Sequence, residues 1–272
     1  MTTIHFASDL HFEINGWIPS VDRLPGGDVL VLAGDIHCSR FFREKRTDAE
    51  ARSAQKMFKS KLDPVFKRYG TVYHLMGNHE YYGDNWLKAR ETFEDFYVSA
   101  GLDNVRAVES GSFDIAPNAR LILSTLWSSL DVTNPYDLSH IAYSMNDYRV
   151  ITSNDEGAVL TVRDTKAAHM RYVKELEESL KGSSGKKVVV ATHHAPSYES
   201  ETRYRGSILS PAYCSDLRHI MHDNPNIAYW IHGHTHSNTS YTVNETKIVT
   251  AMHGYYMDRK RGEKFEYGEI VL

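Results

Sequence analysis

Histidine, aspartate and asparagine side chains recur in five short motifs that are spread along the chain. The motifs are Asp9-Leu10-His11, Gly34-Asp35, Gly77-Asn78-His79-Glu80, His193-His194 and Gly233-His234-Thr235-His236. Their imidazole, carboxylate and amide groups, with no thiolate among them, are hard or borderline ligands that suit Mn²⁺, Fe, Zn²⁺ or Mg²⁺. Two such ions about 3.5–4 Å apart stabilise in-line displacement at phosphorus. These residue types therefore indicate a pair of divalent cations, provided that the fold brings the motifs together.

Each motif taken alone has an ordinary structural explanation. Gly34-Asp35 is a common turn dipeptide, and Asp9 is also typical of the end of a strand. The pair His193-His194 can equally be two polar residues at a strand end. The Gly-His-Thr-His motif is stronger, because alternate residues of an extended segment point to the same side.

The elements that must position these motifs can be predicted from apolar periodicity. We predict strands over 4–10, 28–35, 71–78, 120–127, 186–193, 227–233, 246–252 and 265–272, and helices near 47–69, 84–100, 161–181 and 211–222. Strands that alternate with helices are typical of an α/β fold with mostly parallel pairing. In such sheets reactive groups collect at the carboxyl ends of strands, and all five motifs fall at predicted strand ends.

Composition excludes several classes of protein. The chain has 272 residues, 41% of them hydrophobic and 24% charged, with a formal net charge of −4. This charge disfavours binding to nucleic acid without sequence preference. The basic runs 40–46 and 258–264 are interpreted as exposed loops or helix faces. No linker divides the chain, so we expect a single domain over 1–272.

The cysteine content and the first residues bear on the compartment. Cys38 and Cys214 are the two cysteines and lie far apart in sequence, which is typical of a reducing environment. The first ten residues have neither the basic nor the apolar part of a signal peptide, and no apolar run is long enough to span a membrane. We therefore predict a cytoplasmic protein that does not act at a membrane.

The order of the motifs, D-x-H, G-D, G-N-H-E, H and G-H-x-H, resembles the calcineurin-like metallophosphoesterase superfamily over residues 9–236. The tracts MNDYRVI, GNHEYYG and THHAPSYES are similar to a bacterial and phage branch of predicted phosphoesterases. The resemblance implies an α/β fold, a four-layer α-β-β-α sandwich of two mixed β-sheets flanked by helices. It also implies a dinuclear metal-dependent phosphoesterase, in which a hydroxide that bridges the ions attacks phosphorus in line.

The resemblance further implies a role for each motif residue. The implied ligands are Asp9, His11 and His236 for the first ion, Asn78, His193 and His234 for the second, and Asp35 as the bridge between them. His79 would be the catalytic acid that protonates the leaving alkoxide. His194 would then be structural, because His193 occupies the position of the family's single strand-end histidine. Mn²⁺ is the favoured cofactor, with Fe, Zn²⁺, Ni²⁺ and Mg²⁺ as alternatives.

One position departs from the family pattern. In many members a second Asp, three residues after the G-D motif, orients the catalytic histidine, but here that position is Cys38. A thiol cannot supply a full negative charge at neutral pH. Either another carboxylate orients His79, or His79 contributes less than usual. The Asp-Arg-Gly continuation of the Ser/Thr phosphoprotein phosphatases is also absent, which argues against that class.

Two long connections, 128–159 and 194–213, are candidates for selecting the substrate. Predicted substrate-binding residues in these connections are Arg149, Arg203 and Arg205, each of which could equally be exposed loop decoration. Tyr81 and Tyr82, directly after the Gly-Asn-His-Glu motif, are also predicted to bind the substrate and are better placed for it. Arginine binds phosphate through two parallel hydrogen bonds, and tyrosine stacks on bases or donates to oxyanions. We expect a small phosphate ester as substrate, with a phosphodiester favoured over a monoester. His253 is a further candidate for a loop near the site.

Two other functions remain open at this point. The first is a binding or scaffold protein on the same fold, as in the retromer scaffolding subunit, which has lost effective catalysis. An eroded ligand set would indicate it, whereas here every ligand position is filled. The second is a nuclease that acts on nucleic acid, which would require a basic groove beside the predicted ions.

Overall fold

The computed structural model describes residues 1–43, 46, 48–259 and 265–272. Parts of the two basic runs, 40–46 and 258–264, lie outside the described residues. The strands are β1 Thr3–Ala7, β2 Gly27–Leu32, β3 Tyr69–Leu75, β4 Val105–Val108, β5 Ser110–Ala116, β6 Ala119–Ser124, β7 Lys187–Thr192, β8 Ile227–His232, β9 Ser240–Val243, β10 Thr246–Val249 and β11 Gly268–Val271.

The helices are mostly short. The α-helices are α1 Phe12–Asn15, α2 Ala49–Met57, α3 Asp63–Phe66, α4 Ala89–Ala100, α5 Pro135–Ser144, α6 Asp147–Val150, α7 Val162–Lys181, α8 Ser210–Tyr213 and α9 Arg218–Asp223. A π-helical turn, Phe58–Leu62, joins α2 to α3. None of the helices in the described part of the chain has the length and apolarity that crossing a lipid bilayer requires.

The strands form two mixed sheets. The first sheet has the order β11-β1-β2-β3-β4, and the second has the order β5-β6-β7-β8-β10-β9. In the first sheet β1 to β4 are parallel and β11 is antiparallel to β1. In the second sheet β6, β7, β8 and β10 are parallel, with antiparallel strands at both edges. The carboxyl ends of β1 to β3 therefore meet at one edge of the first sheet, and those of β7 and β8 at one edge of the second.

Apolar side chains pack between the two sheets because strand residues alternate between faces. Phe6, Val31 and Leu75 of the first sheet belong to the same buried cluster as Leu123 and Val189 of the second. The opposite faces are covered by helices, as in a four-layer arrangement. On the first sheet, Leu30, Leu32 and Val72 pack in a cluster with side chains of α3 and α4; on the second, Val190 and Trp230 pack with α7 and α9.

The predicted fold class, an α-β-β-α sandwich of two mixed sheets, is confirmed. All eight predicted strands are present, and the predicted helix over 161–181 begins with a capping box between Thr161 and Asp164. Sequence patterns missed β4, β5 and β9. They also missed α5, which lies within the long connection 128–159. The predicted helix 47–69 is interrupted by the π-helical turn, and the one near 211–222 is divided into α8 and α9.

Candidate metal centre and active site

The seven predicted ligands all lie just beyond the carboxyl ends of strands. Asp9 and His11 follow β1, Asp35 follows β2, Asn78 follows β3, His193 follows β7, and His234 and His236 follow β8. Five of them have left-handed backbone conformations, with φ between 45° and 69°: Asp9, His11, Asp35, His234 and His236. Asp and His are several-fold enriched in this region, so the strain is smaller than it would be for bulky residues. These turns direct side chains from two different sheets into one space.

Two glycines allow the strand ends to approach one another closely. A Cβ on Gly34, whose φ is +90°, would collide with the ring of His193, and a Cβ on Gly77 would collide with the Asp35 carboxylate and with His193. The neighbouring atoms are those of predicted ligands, which cannot shift without disturbing the site. The glycines of the G-D and G-N-H-E motifs are therefore required for close packing of the ligands.

One group of potential ligands surrounds the position expected for the first ion. It contains Asp9, His11, Asp35 and His236, whose ligand atoms all lie within 4.8 Å of one another. His236 Nε2 is 3.3 Å from Asp9 Oδ1 and 3.0 Å from His11 Nε2. His11 Nε2 is also 3.6 Å from Asp35 Oδ2. These nitrogen and oxygen atoms are close enough to one another to hold one metal ion.

A second group contains Asp35, His193 and His234, again with ligand atoms within 4.8 Å of one another. His193 Nδ1 donates to the carbonyl oxygen of Ala33 at 2.9 Å, so in the neutral ring, the form that binds metal ions, the lone pair is on Nε2. That Nε2 lies 3.0 Å from Asn78 Oδ1 and 3.3 Å from Asp35 Oδ1. Among the described residues, no group hydrogen-bonds to the buried Nε2 of His234. A buried nitrogen without a hydrogen-bond partner needs an explanation. Here a cation beside His234 Nε2, His193 Nε2 and Asp35 would supply one.

The two histidines of the Gly-His-Thr-His motif reach the site by a different route from the one predicted. Strand β8 ends at His232, and His234 and His236 have φ values of 69° and 50° instead of an extended conformation. Period-two alternation was therefore the wrong reason for their shared direction. Because each residue turns separately, His234 joins the second group of ligands and His236 joins the first.

The charges of the chain itself already favour ionised carboxylates in this site. Burial would raise the pKa of Asp35, but the neighbouring charges of His193, His79 and His11 outweigh it and hold the pKa well below its usual range. The pKa of Asp9 is lowered for the same reason, mainly through His236. A carboxylate must be ionised to bind a metal ion, so the environment keeps both in the binding form.

His79 lies beside the ligands, and its ring is held from three sides. Its Nδ1 is 2.9 Å from Glu13 Oε1, and its Nε2 is 3.2 Å from the hydroxyl of Tyr255. Tyr82 stacks on the ring with a centroid separation of 4.0 Å. Burial alone would lower the pKa of His79, but the charge of Asp35 and the hydrogen bond to Glu13 raise it to about 9. The ring is thus fixed in position and supplied with a proton.

Glu80, the last residue of the G-N-H-E motif, is fully buried and holds two of the motif loops together. Its carboxylate accepts hydrogen bonds from the backbone N–H groups of Asp35, Ile36 and Gly77, at 2.6–2.9 Å. His74 also lies 3.0 Å from Glu80 Oε1. A charged group buried in this way is satisfied by hydrogen bonds rather than by solvent. Glu80 thereby fixes the loop of the bridging candidate Asp35 relative to that of Asn78.

The predicted substrate-binding residues are not all brought to the site. Tyr82 and Arg203 line a small cavity of about 130 Å³ that also contains Asp35 and His79. Tyr81 instead is buried in the core, where its hydroxyl donates to Glu109 at 3.1 Å.

Two of the three predicted arginines also lie outside the lining of this cavity. Arg149 donates to the carbonyl oxygen of Tyr143 at 3.0 Å and also contacts the side chain of Asn146. Arg205 is exposed and is not among the lining residues. Of the predicted substrate contacts, Tyr82 and Arg203 are therefore the two that the structure places against the cavity.

A second, larger cavity of about 1380 Å³ lies between α2 and α4. Its lining includes the basic residues Arg52, Lys56, Lys59 and Lys88 and the acidic residues Asp95 and Asp155. None of the predicted metal ligands lines it, so its volume does not bear on the chemistry of the motif residues.

Several residues at the site were not among the predicted site residues. They are Glu13 in α1, Asp147 in α6, Tyr213 in α8 and Tyr255 in the loop after β10. Tyr213 lies against the ring of His234, with centroids 4.9 Å apart. The predicted loop near His253 does reach the site, but through Tyr255, whose ring contacts His11 and His236. His253 itself hydrogen-bonds to the carbonyl oxygen of Gly254.

The fold and the paired clusters of aspartate and histidine define a two-sheet phosphoesterase-type protein. A model of the calcineurin-like phosphoesterases matches residues 2–238, and the chain belongs to that family. An uncharacterised protein of Acanthamoeba polyphaga mimivirus is 27% identical, with 99% of this chain and 97% of that protein covered.

Among solved structures, a phosphopantetheinyl hydrolase from Mycobacterium tuberculosis has a similar fold. The TM-score is 0.70 at 15% identity, with 99% of this chain and 95% of that chain covered. At this identity the likeness concerns the fold and not the substrate.

Proposed function

We propose that this protein is a dinuclear metal-dependent phosphoesterase that favours phosphodiesters over monoesters. The observation that supports this most directly is the position of Asp35. Its carboxylate belongs to both groups of potential ligands, one with Asp9, His11 and His236 and one with His193 and His234. A carboxylate shared by two cation sites is the arrangement that holds two ions close together.

The distances between the candidate ligands support an assignment to two ions. Asp9, His11 and His236 would hold one, Asn78, His193 and His234 the other, and Asp35 both. Two divalent cations held there would supply Lewis acidity and lower the pKa of bound water towards roughly 7. The donor set contains no sulfur, which suits Mn²⁺ first, with Fe, Zn²⁺, Ni²⁺ and Mg²⁺ as alternatives.

His79 would act as the general acid. Because its Nδ1–H donates to Glu13, the Nε2–H on the other side of the protonated ring is the group that can deliver a proton to the leaving alkoxide. The stacked ring of Tyr82 fixes the plane of the imidazole, and Tyr255 lies beside Nε2. General acids held in this way contribute typically ~10²–10⁴-fold to the rate.

The shape and charge of the small cavity support a phosphodiester. Arg203 is the one Lys or Arg among the described residues that line it. A diester carries one negative charge, whereas a monoester near neutral pH carries close to two, so a single cation beside the ions fits the diester better. The tyrosines at the rim, Tyr204 and Tyr213, stack on each other with centroids 4.8 Å apart and could pack against an apolar or planar ester group.

The test is turnover of bis-p-nitrophenyl phosphate and of p-nitrophenyl phosphate by metal-reconstituted protein. We expect hydrolysis with Mn²⁺, faster for the diester, and loss of activity in Asp35→Asn. Absence of turnover with each of Mn²⁺, Zn²⁺, Ni²⁺ and Mg²⁺ would contradict the proposal. Because the structurally similar M. tuberculosis protein is a phosphopantetheinyl hydrolase, a phosphopantetheinyl conjugate belongs in the panel of natural substrates, as a fold-level analogy.

The cytoplasm is the proposed compartment. Cys38 and Cys214 are both buried and both free thiols, which is consistent with a reducing environment. Fractionation of cells that express the tagged protein would test this localisation.

A further inference from the structure

The carboxylate of Glu13 lies between two imidazoles of the site. Its Oε1 is 2.9 Å from His79 Nδ1 and 3.1 Å from His11 Nδ1. The Glu13 side chain is only 7% exposed, and no group among the described residues hydrogen-bonds to its Oε2. The two rings are 4.4 Å apart at 71°, so a single oxygen atom reaches both.

This contact fixes a proton on Nδ1 of each ring. An ionised carboxylate only accepts hydrogen bonds, so Nδ1 must be protonated in both His11 and His79. The Nε2 atoms are then turned towards the reacting groups. His11 Nε2 faces Asp35 and His236, and His79 Nε2 faces Tyr255.

Glu13 also supplies a negative charge beside His79, which Cys38 cannot do. Burial, with the nearby charge of Glu13, holds the pKa of the Cys38 thiol well above its usual range, so the thiol is neutral. Glu13 instead places a carboxylate oxygen within 2.9 Å of His79 Nδ1 and 3.1 Å of His11 Nδ1. Glu13 follows His11 by two residues, in α1, whose first residue comes directly after the left-handed turn at His11.

We infer that Glu13 is a positioning residue both for metal binding and for proton transfer. Through His11 it would orient a ligand of the first ion, and through His79 it would orient the acid that serves the leaving group. Carboxylates that accept from a ligating histidine fix its tautomer and raise its basicity. The carboxylate of Glu13 would thus replace the aspartate that many members of the family have at the position of Cys38. This inference rests on the proposed function, because it takes the same cations and the same acid.

The experiment compares wild type with Glu13→Gln, which keeps the shape and removes the charge. Glu269→Gln is the matched control, because Glu269 pairs with the buried His5 at 3.0 Å on β1 and β11. Three properties are measured: zinc affinity by calorimetry, the ¹⁵N signals of the histidine side chains in zinc-loaded protein, and kcat for esters with p-nitrophenyl and alkyl leaving groups. Far-ultraviolet circular dichroism and thermal melting establish that each variant is folded.

In Glu13→Gln we expect zinc to bind ~10–100-fold more weakly, the usual effect of removing a carboxylate behind a ligating histidine. The ¹⁵N signals of His11 and His79 should no longer both show the Nδ1–H form. For the alkyl ester kcat should fall ~10²-fold or more, and for the p-nitrophenyl ester clearly less, because a good leaving group needs little protonation. Glu13→Asp, one methylene shorter, should recover part of the zinc affinity.

Unchanged zinc affinity or an unchanged leaving-group dependence in Glu13→Gln would overturn the inference, as would equal effects in Glu269→Gln. Failure of the proposed function is a separate result. If wild-type protein bound zinc but hydrolysed no phosphate ester, the proposed activity would be wrong. The zinc affinity and the ¹⁵N signals would still decide whether Glu13 orients the two rings.

Discussion

Asn78 Nδ2 donates a hydrogen bond of 2.8 Å to the buried carboxylate of Asp147. The hydroxyl of Tyr82 donates to the same oxygen at 3.0 Å. Since Asp147 holds the nitrogen end of the Asn78 amide, the oxygen end faces His193 Nε2 at 3.0 Å. Asp147 therefore determines which end of the amide is presented to the second candidate ion, and it also fixes Tyr82 against His79.

We expect Asp147→Asn to weaken the second ion site. The new amide can donate as well as accept, so it no longer forces the Asn78 oxygen towards His193. Affinity for one of the two zinc ions should fall ~10–100-fold in calorimetric titration. Asp114→Asn, an exposed carboxylate on β5, is the control and should bind zinc as the wild type does. Equal affinities for wild type and Asp147→Asn would show that the contact does not orient the ligand.

His79→Ala should separate metal binding from proton transfer. The imidazole lies beside the ligand groups and holds a proton that the leaving alkoxide requires. Zinc content, measured by elemental analysis, should stay at the wild-type level, whereas kcat for alkyl esters should fall by about 10²-fold or more. The control is His219→Ala, an exposed histidine on α9. A wild-type rate for alkyl esters in His79→Ala would remove His79 from the mechanism.

Divalent metal should also stabilise the folded protein. The ligand atoms converge only in the native state, so ions that bind it shift the unfolding equilibrium. At a free concentration of about 100 times the Kd, each site contributes about 2.7 kcal/mol. The thermal midpoint should therefore rise with added Mn²⁺ and fall on addition of a chelator. In Asp35→Asn, which removes the shared carboxylate, most of this Mn²⁺-dependent rise should be lost; a rise of wild-type size would contradict a shared site at Asp35.

The positions of the candidate ligands were predictable because buried strands have a clear local pattern of apolar residues. Buried runs such as Val29–Leu32 and Val188–Ala191 mark strands on both sheets, and topology places the carboxyl ends of parallel strands at a common edge. The positions of Asp35 and His193 therefore follow from local sequence and the class of fold. The left-handed turns that direct the side chains into the site depend on how the strand ends pack together. The periodicity of apolar residues along one segment does not predict that packing.

The residues that support the ligands could not be predicted in the same way. Glu13, Asp147 and Tyr255 come from a short helix, a one-turn helix and a loop. Glu13 lies 66 residues from His79, and Asp147 lies 69 residues from Asn78. Tyr255 meets His79 across 176 residues of chain. Strand β5 was missed for a related reason: its residues are half-buried or exposed along its whole length, so it lacks an apolar pattern.

The capping box of α7 gives a test of stability that is independent of the site. The Thr161 side chain accepts from the backbone N–H of Asp164, and the Asp164 carboxylate accepts from that of Thr161. Thr161→Ala should lower the free energy of unfolding by ~0.5–2 kcal/mol, measured by urea denaturation. Thr133→Ala, at an exposed position outside the helices, should change it less. Zinc affinity should be unaffected in both variants, since α7 supplies no ligand.

Arg203 and Arg205 offer a matched pair for testing the small cavity. The two residues lie in the same connection, but Arg203 lines the cavity with His79 and Asp35, whereas Arg205 does not. A guanidinium that contacts the bound ester contributes to substrate binding through charge-assisted hydrogen bonds. If those hydrogen bonds form equally in the ground state and the transition state, Arg203→Gln should raise KM for bis-p-nitrophenyl phosphate several-fold with kcat little changed. Arg205→Gln should leave KM as in the wild type, and an equal rise in both variants would mean that general surface charge, and not the cavity, attracts the substrate.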